Sequence, residues 1–141
     1  IVSPAWAETS VSLSETPPDF KIAFIGDQGL GKNADKSIWR ICSWHQNMHL
    51  MQVGKQKDAT GWDVYEEARK GGAIIATAHD HSYGHTYLMN SFVNQTIASY
   101  SNCMIITEGQ TFAFVSGLAG TKIYDQKVHG PWWARIYTNE I

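Results

Sequence analysis

Ala73-Ile74-Ile75-Ala76-Thr77-Ala78 is the stretch that most limits what this chain can fold into. It carries no charge, follows Gly71-Gly72 and stops at His79-Asp80-His81, which is how a strand covered on both faces reads. Upstream, Asp58-Ala59-Thr60-Gly61 opens an amphipathic helix. Trp62, Tyr65, Ala68 and Arg69 share its apolar face, Glu66 and Glu67 leave that face, and Gly71-Gly72 stops it. In an extended strand residues i and i+2 point to the same side. His79 and His81 can therefore present both imidazoles to one point, which is a metal-binding geometry.

A helix feeding a buried strand places the chain in the α/β class, bordering on α+β. Two further runs fit that scheme. Phe20 to Ile25 is short and apolar and runs into Gly26-Asp27-Gln28-Gly29-Leu30-Gly31-Lys32, and Ile38 to Trp44 is a second strand with His45 at its end. The passage between them is short for a parallel crossover, which takes a dozen or more residues and usually a helix. After the histidines the runs shorten to Tyr87 to Val93, Met104 to Thr107 and Thr111 to Val115, with Glu108-Gly109-Gln110 as a hairpin turn between the last two. Gly117 to Gly120 reads as flexible, and Trp132-Trp133 as core or interface. Residues 1–19, rich in Ser, Thr and Pro and without a period, form an extended arm ahead of a single domain at 20–141.

Composition removes several classes. A chain of 141 residues with 43% apolar and 17% charged residues supports one globular core and not a disordered segment. A net charge of -2 lacks the basic stripe of a nucleic-acid binder, so no nucleic-acid partner is expected. No apolar run approaches the roughly 18 residues that cross a bilayer as a helix, so no transmembrane segment is expected. Ala5-Trp6-Ala7 has the small-x-small pattern of a secretory cleavage site without the charged n-region and most of the h-region, so it also reads as a processing remnant, and Asn94-Gln95-Thr96 is an N-glycosylation sequon that acquires meaning on secretion. Cys42 and Cys103 could form one disulfide or remain two buried thiols.

Asp27, His45, His79 and His81 all stand where strands should end. Ligands of open α/β sheets gather outside the carboxyl ends of strands, and three histidines with a carboxylate suit zinc, iron or manganese. Taken singly, a strand-end Asp also reads as a turn cap and His45 beside Trp44 as packing. His49 would meet His45 only on a helix, and the chain there reads as strand. His85 lies in the loop after the pair, where it could touch a substrate anion or nothing, and His129 reads as surface. Gly26-x-x-x-x-Gly31-Lys32 matches part of a phosphate-cradling loop, but Asn33 stands where Ser or Thr holds magnesium and no long helix follows. The His-x-His pair also invites comparison with cupin metal sites, although the Glu expected a few residues later is missing.

In order along the chain, Phe24-Ile25-Gly26-Asp27-Gln28-Gly29, Ile41-Cys42-Ser43-Trp44-His45, Ala78-His79-Asp80-His81-Ser82-Tyr83 and Thr111-Phe112-Ala113-Phe114-Val115-Ser116-Gly117 resemble the calcineurin-like metallophosphoesterase family. The resemblance covers about Phe20 to Trp133 and is strongest to the secreted, purple-acid-phosphatase-related branch. It implies a two-sheet sandwich flanked by helices, two transition metals (iron, zinc or manganese) and hydrolysis of phosphate esters by a metal-activated hydroxide. Carried over by position, Asp27 and His81 would serve one metal and His45 and His79 the other. Ala78 replaces the usual glycine, and His85 stands where relatives often carry Arg.

The family's bridging aspartate and its Gly-Asn-His motif have no counterpart, as though a block were removed near Lys36-Ser37. Without the bridging carboxylate two close dications repel with little compensation. Three accounts follow: parts of a longer or cleaved enzyme, a shortened paralogue that lost catalysis, or a single-metal enzyme. A shortened form would expose apolar sheet edges, inviting self-assembly or a complementing chain segment. The expected function is thus a secreted or periplasmic metal-dependent phosphoesterase. The alternative is a noncatalytic structural or assembly module derived from that fold.

Overall fold

The computed structural model describes residues 21–25, 38–54, 57–58 and 60–140. The arm at 1–19, the glycine-rich turn with Asp27 and the junction at Lys36-Ser37 lie outside the described residues. Strands β1 (Lys21–Ile25), β2 (Ile38–Trp44) and β3 (Ile74–Thr77) run parallel, with helix α1 (Trp62–Lys70) on the connection from β2 to β3. After β3 come β4 (Tyr83–Thr86), β5 (Leu88–Ser91), β6 (Thr96–Ser99), β7 (Ala113–Ser116) and β8 (Trp133–Tyr137). Six strands form one sheet in the order β1-β2-β3-β7-β4-β8, and β5 and β6 pair as a second, antiparallel sheet. The architecture is mixed α/β with two sheets.

The helix begins after Gly61, in extended conformation, and stops at Gly71. Gly72 then adopts a left-handed φ of 64°, where a Cβ would press on the Thr107 carbonyl 2.9 Å away. Tyr65 and Ala68 are the fully buried face of α1 and pack with Ile75, Ala113, Met89, Phe92 and Trp132 in one core. Tyr65 anchors it, with Trp44 edge-on at 4.9 Å and Phe92 at 5.5 Å. Burial pushes its phenol pKa well above the ordinary value. Each such side chain contributes about 1.5–3 kcal/mol of apolar burial, so α1 is held by packing more than by its own turns.

Burial alternates along β3, β4 and β7, and the register aligns the alternation. Ile75 lies beside Ala113, and Thr77 beside Val115, on the core face. The opposite face carries Ile41 beside Ile74, Ala76 beside Phe114, Phe114 beside His85 and Tyr83 beside Tyr137. The buried run Ala73 to Ala78 is therefore covered by the core on one side only. Its paired neighbours, aliphatic and aromatic, shield the other.

Several expectations change. Strands β4, β6 and β8 were hidden in sequence because each is short and mixes polar with apolar residues. Met104 to Thr107 is not a strand: Thr107 makes only an isolated bridge to Gln110 across the expected Glu108-Gly109 turn. Glu66 does not leave the helix's packed side. Its carboxylate accepts the backbone N–H of Phe92 at 2.7 Å. Gly117 to Gly120 is pressed against the Asp80 backbone and the His81 ring, where neither Gly117 nor Gly120 has room for a Cβ. Cys42 and Cys103 are neither bonded nor both buried: both are free, Cys103 is exposed, and partial burial raises the Cys42 thiol pKa. Trp132 is buried in the core, as its sequence suggested, and His129 is exposed.

Candidate functional site

Parallel strands β2, β3 and β7 end on the same side of the sheet, and the segments that leave β2 and β3 carry the histidines. His45 follows Trp44 at the end of β2, and its carbonyl accepts the N–H of Ala78 at 3.2 Å. That bond docks the β3 exit against the β2 exit. His79 comes next, and its Nδ1 lies 3.2 Å from Nε2 of His45, with ring centroids 5.1 Å apart at 76°.

His79 and His81 do not lie on an extended strand. Strand β3 ends at Thr77, and His79 has a left-handed φ of 64°. The N–H of Asp80 then donates to the Ala78 carbonyl at 2.7 Å, and that of Ser82 to the Asp80 carbonyl at 2.8 Å. Two successive tight turns replace the strand, so the two rings diverge. His81 stacks on Tyr124, centroids 4.7 Å apart and 13° from parallel. Its Nδ1 is 3.2 Å from the Lys122 carbonyl. A carbonyl only accepts, so Nδ1 is the donor here, and in the neutral ring that leaves the lone pair on Nε2.

His85 lies on β4 and not in a loop. Its Nδ1 donates to the Thr86 carbonyl at 3.1 Å and its ring sits against Tyr83 and Phe112. His49 opens the 3-10 turn His49–Met51 and pairs with Asp58 at 2.6 Å, apart from His45. Hydrogen bonding to the His49 backbone N–H is the main influence holding the Asp58 carboxyl below its usual pKa, ahead of the opposing desolvation. Asn94 is exposed in the turn between β5 and β6. Asp27 lies outside the described residues.

Two neutral imidazoles bound to one zinc at 2.0–2.1 Å with tetrahedral angles place their nitrogens about 3.3 Å apart. The His45–His79 separation fits that edge. Without a proton or a cation between them the two lone pairs would oppose each other. His81 has the complementary feature, because histidine ligands almost always donate their second ring N–H to a carbonyl or carboxylate. Among the described residues no group of three or more His, Cys, Asp or Glu side chains is gathered for a metal. The structure thus brings two predicted ligands together and orients a third separately.

Sequence reasoning missed Asp80, Tyr124 and the Lys122 carbonyl. Asp80 had a signal: between two outward histidines it must turn inward, and a carboxylate turned inward needs donors. Tyr124 had none, since it reaches His81 through a loop 43 residues on along the chain. What fold and site define is a mixed α/β chain with a pair of histidines in contact just beyond the ends of two parallel strands. No family model, curated protein or solved structure matches the chain.

Proposed function

We propose that this chain carries the histidine cluster of a metal-dependent phosphoesterase, built on part of a metallophosphoesterase sandwich and acting outside the cytoplasm on phosphate esters. The observation that carries the reading is the His45–His79 nitrogen pair, 3.2 Å apart at the ends of neighbouring parallel strands. His45 and His79 would hold one metal, and His81 through Nε2, together with Asp27, a second. When bound, such metals polarise the ester and bring the pKa of a water near 7. The chain's own residues orient the donors: the Lys122 carbonyl accepts from Nδ1 of His81 and turns Nε2 outward, and the Ala78–His45 bond sets the spacing of the two loops. His85, on the apolar face of β4, is the weakest member of the set.

Metal content and p-nitrophenyl phosphate hydrolysis test the reading. The intact chain should bind zinc, iron or manganese, and His79→Ala should cost 100-fold or more in turnover, on the order of 3 kcal/mol. An intact chain that takes up no metal and shows no hydrolysis would refute it. Asn94 is exposed, so its sequon is accessible to a glycosyltransferase if the chain is secreted. Expression through a eukaryotic secretory route should add a glycan-sized mass that Asn94→Gln abolishes, and an unmodified Asn94 counts against that part.

A noncatalytic assembly module is the second reading. Its support is the sheet face opposite the core, where Trp39 is 47% and Tyr137 49% exposed beside half-buried Ile41, Ile74, Tyr83 and Phe114.

A further inference from the structure

We propose that Asp80, the residue between the two histidines, is a positioning residue that sets where His79 and His81 stand and thereby the affinity of the site for a divalent metal; this rests on the metal reading above. Asp80 has no exposed surface. Its Oδ2 accepts the backbone N–H of Val53 at 3.0 Å and of Gly54 at 3.0 Å, and the hydroxyl of Ser82. Its Oδ1 also faces the Gly54 N–H at 3.1 Å. A buried carboxylate is tolerated only when such donors meet it, so the position selects an acceptor of this shape.

The donors belong to a braced frame. The Val53 carbonyl accepts from the N–H groups of Lys127 and Val128 at 2.9 and 3.0 Å. Gly54 is packed so closely that a Cβ would lie 2.6 Å from Asp80 Oδ1 and 3.0 Å from Cβ of Tyr124. Asp80 therefore pulls the middle of the His-Asp-His turn onto a fixed shelf. Its neighbours are turned outward, His79 onto His45 and His81 onto Tyr124. The left-handed φ at His79 is unfavourable for a residue with a Cβ, so it needs an anchor, and Asp80 is bonded one residue away. Without those bonds residue 79 can relax toward ordinary φ and carry its ring off His45.

The test titrates Co²⁺ into the full chain and follows visible absorption, with circular dichroism reporting the fold. Asp80→Ala should bind Co²⁺ about tenfold or more weakly, as loss of supporting partners commonly does, with an altered spectrum. Asp80→Asn, which keeps shape and one acceptor oxygen, should recover part of the affinity. Should Asp80→Ala not fold, Asp80→Asn and Ser82→Ala carry the comparison. Wild-type affinity and spectrum in the folded variants would overturn the role of Asp80 and leave the metal reading standing. If the wild-type chain binds no Co²⁺, the metal reading falls, and ring ¹H–¹⁵N signals decide the positioning role. His79 and His81 signals that move in Asp80→Asn, with His49 and His129 fixed, support it; unmoved signals overturn it.

Discussion

His79 holds the most demanding backbone at the site, a left-handed φ of 64° on a residue with a Cβ. L-residues other than glycine adopt that region at a cost of about 1–2 kcal/mol, and such outliers persist where surrounding structure fixes them, often at functional sites. Replacing His79 separates the imidazole from the backbone. His79→Gly should unfold at higher urea than His79→Ala, by about 1 kcal/mol, since both lose the ring and only glycine is at ease there. Equal midpoints would mean that residue 79 is not left-handed in solution. The residue identities at the site were legible in sequence, because histidines closing an apolar run are conspicuous. Their pairing was not readable from periodicity: alternation set His79 with His81 only if β3 continued past Thr77, and the turns at Asp80 and Ser82 end it, while His79 with His45 was implied by the family resemblance alone.

At the scale of elements, α1 is fastened to the β5–β6 hairpin and to the Thr107–Gln110 turn through two neighbouring side chains. Glu66 accepts the Phe92 N–H at 2.7 Å and Arg69 Nε at 2.8 Å, and Arg69 donates onward to the Gly109 carbonyl at 2.6 Å. Desolvation alone would raise the Glu66 pKa, but the bonds from Arg69, Phe92 and Val93 outweigh it and hold the carboxyl below its usual value. A depressed carboxyl stabilises the fold fully above its unfolded value, about 4.3, and that contribution is lost as pH falls through the lower folded value. Glu66→Gln should therefore cost about 1–2 kcal/mol at pH 7, and the gap to wild type should close in acid. Urea melts at neutral and acid pH measure it; a gap that persists unchanged in acid argues against the ion-assisted bonds. The position of α1 was readable from Tyr65, Ala68 and the Gly71-Gly72 stop. The use of Glu66 beyond its own helix was not, because the backbone N–H groups it accepts from lie 26 and 27 residues away.

At the scale of the whole molecule, the six-stranded sheet has helix, core and second sheet on one face and an aromatic surface on the other. Apolar faces of this kind favour a covering partner, and the assembly reading supplies a second copy. Light scattering across a dilution series should then show mass above that of one chain, and Trp39→Glu with Tyr137→Glu should return it to monomer. A single-chain mass at every concentration would dispose of self-association through this face. The sequence by itself determined the α/β class, the helix, the strands β1 to β3 and the residues offering ligand chemistry, because these depend on local period and composition. Only the tertiary structure decided that β7 lies between β3 and β4, that His79 and His81 turn apart, that Tyr124 stacks on His81 and that Asp80 is the buried anchor. Those outcomes depend on contacts between segments far apart along the chain, which strand register and loop closure set and local periodicity does not encode.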